Sequence, residues 1–386
     1  MNSNSVKYIN PRTLSKWSVD NPIWCAPDDG GYVNLTPGTG LTKDEILPGK
    51  SGLWRYRSAI RVESVTEITL GEGWTPLVSA QWKGSIVLMK CEYLMPSGSF
   101  KDRGTVVLFN YLKQIGVSGV LEDSSGNAGS SYAAYAAAIG LNCRIMLPSS
   151  APESKKIQIT AMGAQVEEIA GTREDVAKAA RSAAEDVFYG SHNWQPFFIE
   201  GTKTLAFEIW EQLGFEVPDN IIVPLGYGSN VLGLFYGFKE LQKAGEIKQL
   251  PRIFGAQAAN CAPFYWAWQA KDVFVKLVSK PTIADGIASE KPVRVSEVLG
   301  CVRKTNGEII AVKEQDIIQA FGDLSKAGFF IEPTGATAAA AFDRLMIGGT
   351  ILPDQVSVVV LTGHGLKAAD KINTHVLPYL DIDNNS

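Results

Sequence analysis

The 386-residue chain has few of the residues that build disulfide frameworks or metal clusters: five cysteines and three histidines. Cys25, Cys91, Cys143, Cys261 and Cys301 are odd in number and widely spaced, with no C-x-x-C pair. Such spacing argues against a disulfide scaffold and a structural zinc site. His192, His364 and His375 are equally scattered, so no metal is expected. No apolar run reaches the roughly 18 residues of a membrane span. The polar stretch Met1–Arg12 lacks the apolar centre of a signal peptide, so a cytoplasmic protein without a membrane partner is expected. Neither charge dominates: 36 Lys and Arg face 40 Asp and Glu, for a net charge of −4. A chain this near neutrality has no global electrostatic drive toward nucleic acid. Repeats and low-complexity tracts are also lacking.

What remains is an ordinary globular composition, with 45% apolar residues and 20% charged. At roughly 100–200 residues per domain, two domains fit the length. Residues 18–50 are rich in Asp, Gly, Pro and Asn and read as irregular. From Ser85 onward, short Val/Ile-rich runs alternate with alanine-rich helical stretches. The runs are Ile86–Met89, Val117–Leu121, Cys143–Leu147, Val166–Ile169, Asn220–Pro224, Ile253–Ala256 and Val356–Leu361. Near-continuous apolar runs suit strands buried on both faces, and strand–helix alternation implies right-handed βαβ units. The fold class is therefore α/β: two open parallel-sheet domains, with helices on both faces and a cleft between them.

Four loops carry chemistry. The first, Pro96–Gly104, holds Lys101 at a helix start, with Ser97 or Ser99 as the N-cap. There the positive end of the helix dipole and Arg103 disfavour the ammonium, giving an amine suited to Schiff-base formation. Glu122–Ser131 links a strand to an alanine-rich helix. Its small residues admit a ligand, its helix N–H groups can hold an anion, and Asn127 offers an amide to a ring oxygen. In Pro224–Gly233, the backbone N–H groups of Gly226, Tyr227, Gly228, Ser229 and Asn230 can cradle a phosphate. The spacing G-x-G-x-x-x-x-G is not the dinucleotide fingerprint, and no Gly-Lys-Ser/Thr follows. The last loop, Val358–Lys367, puts the Thr362 hydroxyl at a sheet edge, where α/β proteins bind ligands. Amine, amide, phosphate cradle and hydroxyl together form a kit for pyridoxal phosphate.

Ordered segments over some three-quarters of the chain then resemble the fold type II, tryptophan synthase β-like, pyridoxal-phosphate enzymes, and among them the threonine synthases. These segments are Leu53–Arg57, Leu70–Leu77, Ser97–Gly104, Ser125–Asn127, Glu200–Thr204, Glu208–Gly214, Gly226–Gly233, Glu332–Ala336 and Leu361–Lys367. The resemblance implies a lyase converting O-phospho-L-homoserine and water to L-threonine and phosphate. It further implies that Lys101 carries the cofactor as a Schiff base and moves protons. By the same resemblance Asn127 would bond the ring oxygen, residues 226–230 the phosphate, and Thr362 the pyridine nitrogen. Ser97, Ser124, Ser125, Gly126, Ser130, Phe198 and Lys203 are the expected substrate contacts. A homodimer is also implied, with residues 93–204 as a small mobile domain and residues 61–92 and 205–386 as the large cofactor-binding domain. Residues 1–60 are expected to pack on the large domain.

The chain departs from that pattern. Ala128 and Gly129 stand where Thr and Ser are common, and Phe198 stands where Arg is common. Losing a cation disfavours a phosphorylated substrate. The alternatives are β-elimination or β-replacement on serine, threonine or a related amino acid, as in a dehydratase or a cysteate-synthase-like enzyme. A catalytically silent metabolite-binding relative is a further reading, which the retained Lys101 opposes. His192 reads as a structural, hydrogen-bonded histidine, and Glu332 as either a helix cap or a neighbour of the cofactor ring.

Overall fold

The computed structural model describes residues 6–63, 67–272 and 278–380. Residues 1–5 of the Met1–Arg12 stretch lie outside them. β1 (Lys7–Ile9), β2 (Lys16–Ser18) and β3 (Asn34–Leu35) make a small antiparallel sheet in the order 2-1-3. β4 (Leu77–Trp82) and β5 (Ser85–Lys90) form a hairpin. β6 (Gly119–Glu122), β7 (Asn142–Pro148), β8 (Gln165–Ile169) and β9 (Phe188–Tyr189) form a parallel sheet in the order 8-7-6-9. β10 (Asn220–Pro224), β11 (Arg252–Ala258), β12 (Ile309–Val312) and β13 (Ser357–Val360) join the hairpin in a larger sheet of order 12-11-10-13-5-4. Only β4 runs antiparallel there.

The first helices are α1 (Lys101–Gln114), α2 (Asn127–Ile139), α3 (Glu153–Ala161), α4 (Arg173–Ser182), α5 (Pro196–Thr202) and α6 (Thr204–Gln212). After them come α7 (Ser229–Lys243), α8 (Pro263–Ala270), α9 (Val295–Lys304), α10 (Glu314–Lys326), α11 (Pro333–Ile347) and α12 (Ala369–His375). Helices cover both faces of the larger sheet. One core joins it to α10 and α11, the other to α6, α7 and α9. β10, β12 and β13 are buried at every residue, which is why they are almost purely apolar. The smaller sheet packs α1, α2 and α5 on one face and α4 on the other.

The N-terminal segment, expected on the large domain, contributes to the cores of both sheets. Leu41, Ile46, Tyr56 and Ala59 enter the larger sheet's core. Tyr8, Ala26, Val33, Leu53, Trp54 and Ile60 enter the core of the smaller one. Tyr8 shares a 2.8 Å hydrogen bond with Tyr111 of α1. On the other side, Arg294 donates to Asn34 Oδ1 (2.7 Å) and to the Val33 carbonyl (2.9 Å). The segment is a strap across both units. No helix of the described residues is long and apolar enough to cross a membrane.

Candidate active site

Each of the four loops follows the carboxyl end of a parallel strand, the edge at which open α/β sheets bind ligands. Folding brings them to one cavity between the two sheets. Its walls include Lys101, Ser124–Ala128, Gly226–Asn230 and Thr362, joined by Lys155, Arg173, His192, Asp285 and Glu332. A side chamber adds Ser130, Gln158 and Lys367.

Lys101 is the first residue of α1, and Phe100 before it is already helical. The expected serine cap is absent. Ser97 instead donates its N–H (2.7 Å) and its hydroxyl (2.5 Å) to Asp102, which also accepts from Ser131 (2.6 Å). The Ser97 hydroxyl is therefore committed to holding the turn, while Ser99 Oγ is buried without a partner. The Lys101 amine lies 4.8 Å from the Phe100 ring centre and 5.6 Å from that of Phe198. Burial pulls its pKa down to about 8; Arg173 adds to the fall, while Glu122 and Glu332 oppose it. The expected agent, Arg103, plays no part. Its guanidinium turns away into a fully buried cluster with Glu92 (2.7 Å), Glu208 (2.7 Å) and Thr204 (3.2 Å).

The glycine loop is shaped by close approach. Gly228 has φ +98°, and a Cβ there would sit 2.4 Å from Val298 Cγ2; a Cβ on Gly226 would meet Ile287 Cα at 3.2 Å. Because α7 opens at Ser229, the first N–H groups of that helix have no partner within it and are available to an anion. Thr362 Oγ1 is buried without a hydrogen-bond partner, as are Asn230 Oδ1 and Ser289 Oγ. A buried orphan hydroxyl is costly unless a ligand supplies the missing bond. An amine of lowered basicity, an anion cradle and an unpaired hydroxyl on one cavity fit pyridoxal phosphate. Asn127, expected at the ring oxygen, here donates its amide to both oxygens of Glu332 (2.9 and 3.1 Å). That bond ties the smaller sheet to the start of α11. Burial pushes the Glu332 carboxyl up, and Asn127 restrains it.

Three expected substrate contacts lie off the cavity wall: Ser97, held by Asp102, and Phe198 and Lys203. Phe198 is fully buried behind Lys101, tilted against the His192 ring, and does not line the cavity. Its substitution for arginine therefore removes no cation from the cavity wall. Lys203 bridges Glu200 (2.8 Å) and Glu240 (2.9 Å) on the far side of α5, beside a separate cavity. The absence of a side chain at 129 has a local cause: a Cβ on Gly129 would lie 2.0 Å from the Ser124 carbonyl. Sequence reasoning missed the cationic wall supplied by Arg173, whose Nε donates to the Tyr227 hydroxyl (3.1 Å). It also missed Glu122, Asp285 and the placement of His192 on the cavity.

Residues 68–363 match the family described as pyridoxal-phosphate dependent enzyme. The chain belongs to that family and is a pyridoxal-phosphate-dependent lyase of fold type II. Among its relatives, it is 34% identical to a threonine synthase of Methanocaldococcus jannaschii, over 92% of this chain and 91% of that protein. To a threonine synthase of Mycobacterium leprae it is 32% identical, over 86% and 92% respectively. The fold is similar to that of a T.th. threonine deaminase, with a TM-score of 0.64 and 25% identity over 75% of this chain and 92% of that one.

Proposed function

We propose that this lyase is a threonine synthase, releasing phosphate from O-phospho-L-homoserine and adding water to give L-threonine. The side chamber carries this reading. Lys367 donates to the Ser97 carbonyl and to Gln158 Oε1 (both 2.8 Å) and forms no ion pair with a carboxylate among the described residues. It lies beside Ser130 and the start of α2, with Glu332 in the same chamber and Lys155 paired to Asp285 (2.6 Å). Burial pulls its pKa down to about 8, with Glu332 and Asp102 opposing, so a bound phosphate dianion would stabilise the ammonium form. Relatives named threonine synthase over nine-tenths of the chain support the same substrate.

When bound, pyridoxal phosphate supplies the electron sink that makes the substrate's Cα and Cβ protons removable. Lys101 would hold the cofactor, and its amine would take and return protons at the substrate's Cα. The Ser124–Asn127 loop, at the start of α2, would bind the substrate carboxylate. The loop at 226–230 would hold the cofactor phosphate, and Thr362 would offer its hydroxyl to the pyridine nitrogen. Lys155, Lys367 and Ser130 hold the substrate phosphate and the leaving anion. The test is simultaneous assay of phosphate and threonine from O-phosphohomoserine by the yellow holoenzyme. Equal amounts are expected. No turnover, with the cofactor's visible band intact and serine or threonine consumed instead, would replace the proposal with the dehydratase reading.

A further inference from the structure

We propose that His192 and Glu122 act as one acid–base pair on the substrate's side chain: Nε2 takes the proton of the water that adds to Cβ, while the Nδ1 proton passes to Glu122. The proposal rests on the threonine synthase reading and assigns a group that Lys101 cannot replace while it serves Cα.

Position comes first. Glu122 ends β6 and is completely buried. One of its oxygens lies 2.9 Å from His192 Nδ1, and the other accepts the His192 backbone N–H (3.1 Å). The carboxylate thus fixes both the ring and the chain that carries it. The ring lies between Phe198 (5.7 Å) and Tyr227 (5.9 Å) and lines the cavity beside Lys101. With Nδ1 turned to Glu122, Nε2 is the nitrogen left for the cavity, and it makes no hydrogen bond among the described residues.

Electrostatics then determine how such a pair carries a proton. The groups facing it are Lys101 from α1, Asp123 beside Glu122, Arg173 from α4, the Tyr227 hydroxyl from the loop before α7, and Tyr132, Cys143 and Tyr189 from α2, β7 and β9. Burial, reinforced by Lys101 and Arg173, keeps the imidazole neutral, with its pKa well below the usual value. A lone histidine here would be a poor base, because a proton on it makes a buried imidazolium. Burial also pushes the Glu122 carboxyl up to about 7. Proton uptake at Nε2 with transfer from Nδ1 therefore converts a carboxylate and a neutral ring into a carboxylic acid and a neutral ring. No imidazolium forms, and one buried charge disappears. In the chemical step, the water oxygen would bond to Cβ as the electron pair of the Cα–Cβ double bond moves to Cα, where the cofactor, when bound, would supply the electron sink. The water proton goes to Nε2, and Cα receives its proton from the Lys101 ammonium.

The test uses Glu122→Gln and His192→Gln holoenzymes, with the visible absorption band reporting a folded, loaded site. Without the pair, elimination continues but hydration fails, and the unhydrated amino acid leaves and hydrolyses to 2-oxobutanoate and ammonia. In both variants the threonine-to-phosphate ratio should fall about 100-fold, with 2-oxobutanoate making up the difference. A merely structural role would lower both products together. A second readout needs no turnover. With only three histidines, imidazole 15N spectra of the cofactor-free protein should show His192 neutral throughout. Its proton should move from Nδ1 to Nε2 as the pH falls through about 7, and Glu122→Gln should abolish that crossover. An unchanged threonine-to-phosphate ratio in both variants, or a His192 that titrates to imidazolium without the crossover, overturns the proposal. A wild type that releases no phosphate from O-phosphohomoserine overturns the substrate reading instead, and the crossover alone then decides the pair.

Discussion

Replacing Glu208 by glutamine tests what holds Lys101 in place. The Glu208 carboxylate accepts from the backbone N–H groups of Trp74 (2.7 Å) and Thr75 (2.8 Å), from Lys90 (2.5 Å), and from both terminal nitrogens of Arg103 (2.9 and 2.7 Å). Arg103 is two residues after Lys101, so this cluster anchors the first turn of α1. Burial alone would raise the Glu208 carboxyl, but Arg103 and Lys90 overcome it and hold the group far below the usual range. Glutamine keeps the shape and leaves two buried cations facing only Glu92. Breaking a fully buried ion pair costs about 3–5 kcal/mol. At about 2.1 cal/mol/K of unfolding entropy per residue, that lowers the melting temperature of a chain this size by about 4–6 °C. The loss should also depend on pH. Burial already depresses the Lys90 pKa, and the variant removes its main counter-charge. The folded variant then binds fewer protons than the unfolded chain below the free-lysine value of about 10.4, so its stability rises as pH climbs toward that value. Thermal unfolding at pH 7 and pH 10, followed by circular dichroism and by the cofactor band, reads both effects. A loss below about 1 kcal/mol at pH 7, the size of a surface pair, or the same loss at both pH values, would refute the reasoning.

Two further outcomes follow from the geometry. Gly228→Ala should lower cofactor affinity at least tenfold by equilibrium dialysis, since its Cβ would press on Val298 at a φ of +98° and displace the phosphate loop by about an ångström. Phe198→Arg should not improve activity on a phosphorylated substrate, because residue 198 lies behind Lys101. It should destabilise the protein by about 3 kcal/mol or more as an unpaired buried cation, measured by urea unfolding.

Much of this was legible in the sequence wherever one residue's surroundings are set by its own stretch of chain. β10 and β13 announce themselves as unbroken apolar runs because both faces are covered. All four loops were visible because strand-to-helix turns concentrate Gly, Ser and Asn. The edge strand β4, half exposed, and the two-residue β9 carry no such signal. The assignment of Arg103 to Lys101 failed for a geometric reason: residues two apart on a helix point in different directions. Arg103 answers instead to Glu92 and Glu208, from two other stretches of chain. Lys203 failed similarly, since the turn from α5 to α6 aims it at Glu240 rather than at the cavity. Arg173 was invisible because its partner Tyr227 comes from the other sheet's loop, and Glu122 because its partner His192 lies 70 residues away in the chain.

The strap and the interrupted larger sheet also order events during synthesis. β6 to β9 are contiguous in the chain, so the smaller sheet can close as soon as residue 189 has emerged. β5 must wait for its parallel neighbour β13, and Asn34 must wait for Arg294, 260 residues later. At about 5–20 residues per second, that wait lasts roughly 13–50 s. Throughout it the N-terminal strap is held by earlier partners alone, such as Tyr111 for Tyr8 and Glu211 for Tyr56. The nascent chain therefore exposes the β4–β5 hairpin for most of its translation, and a ribosome stalled before residue 357 should present it to chaperones.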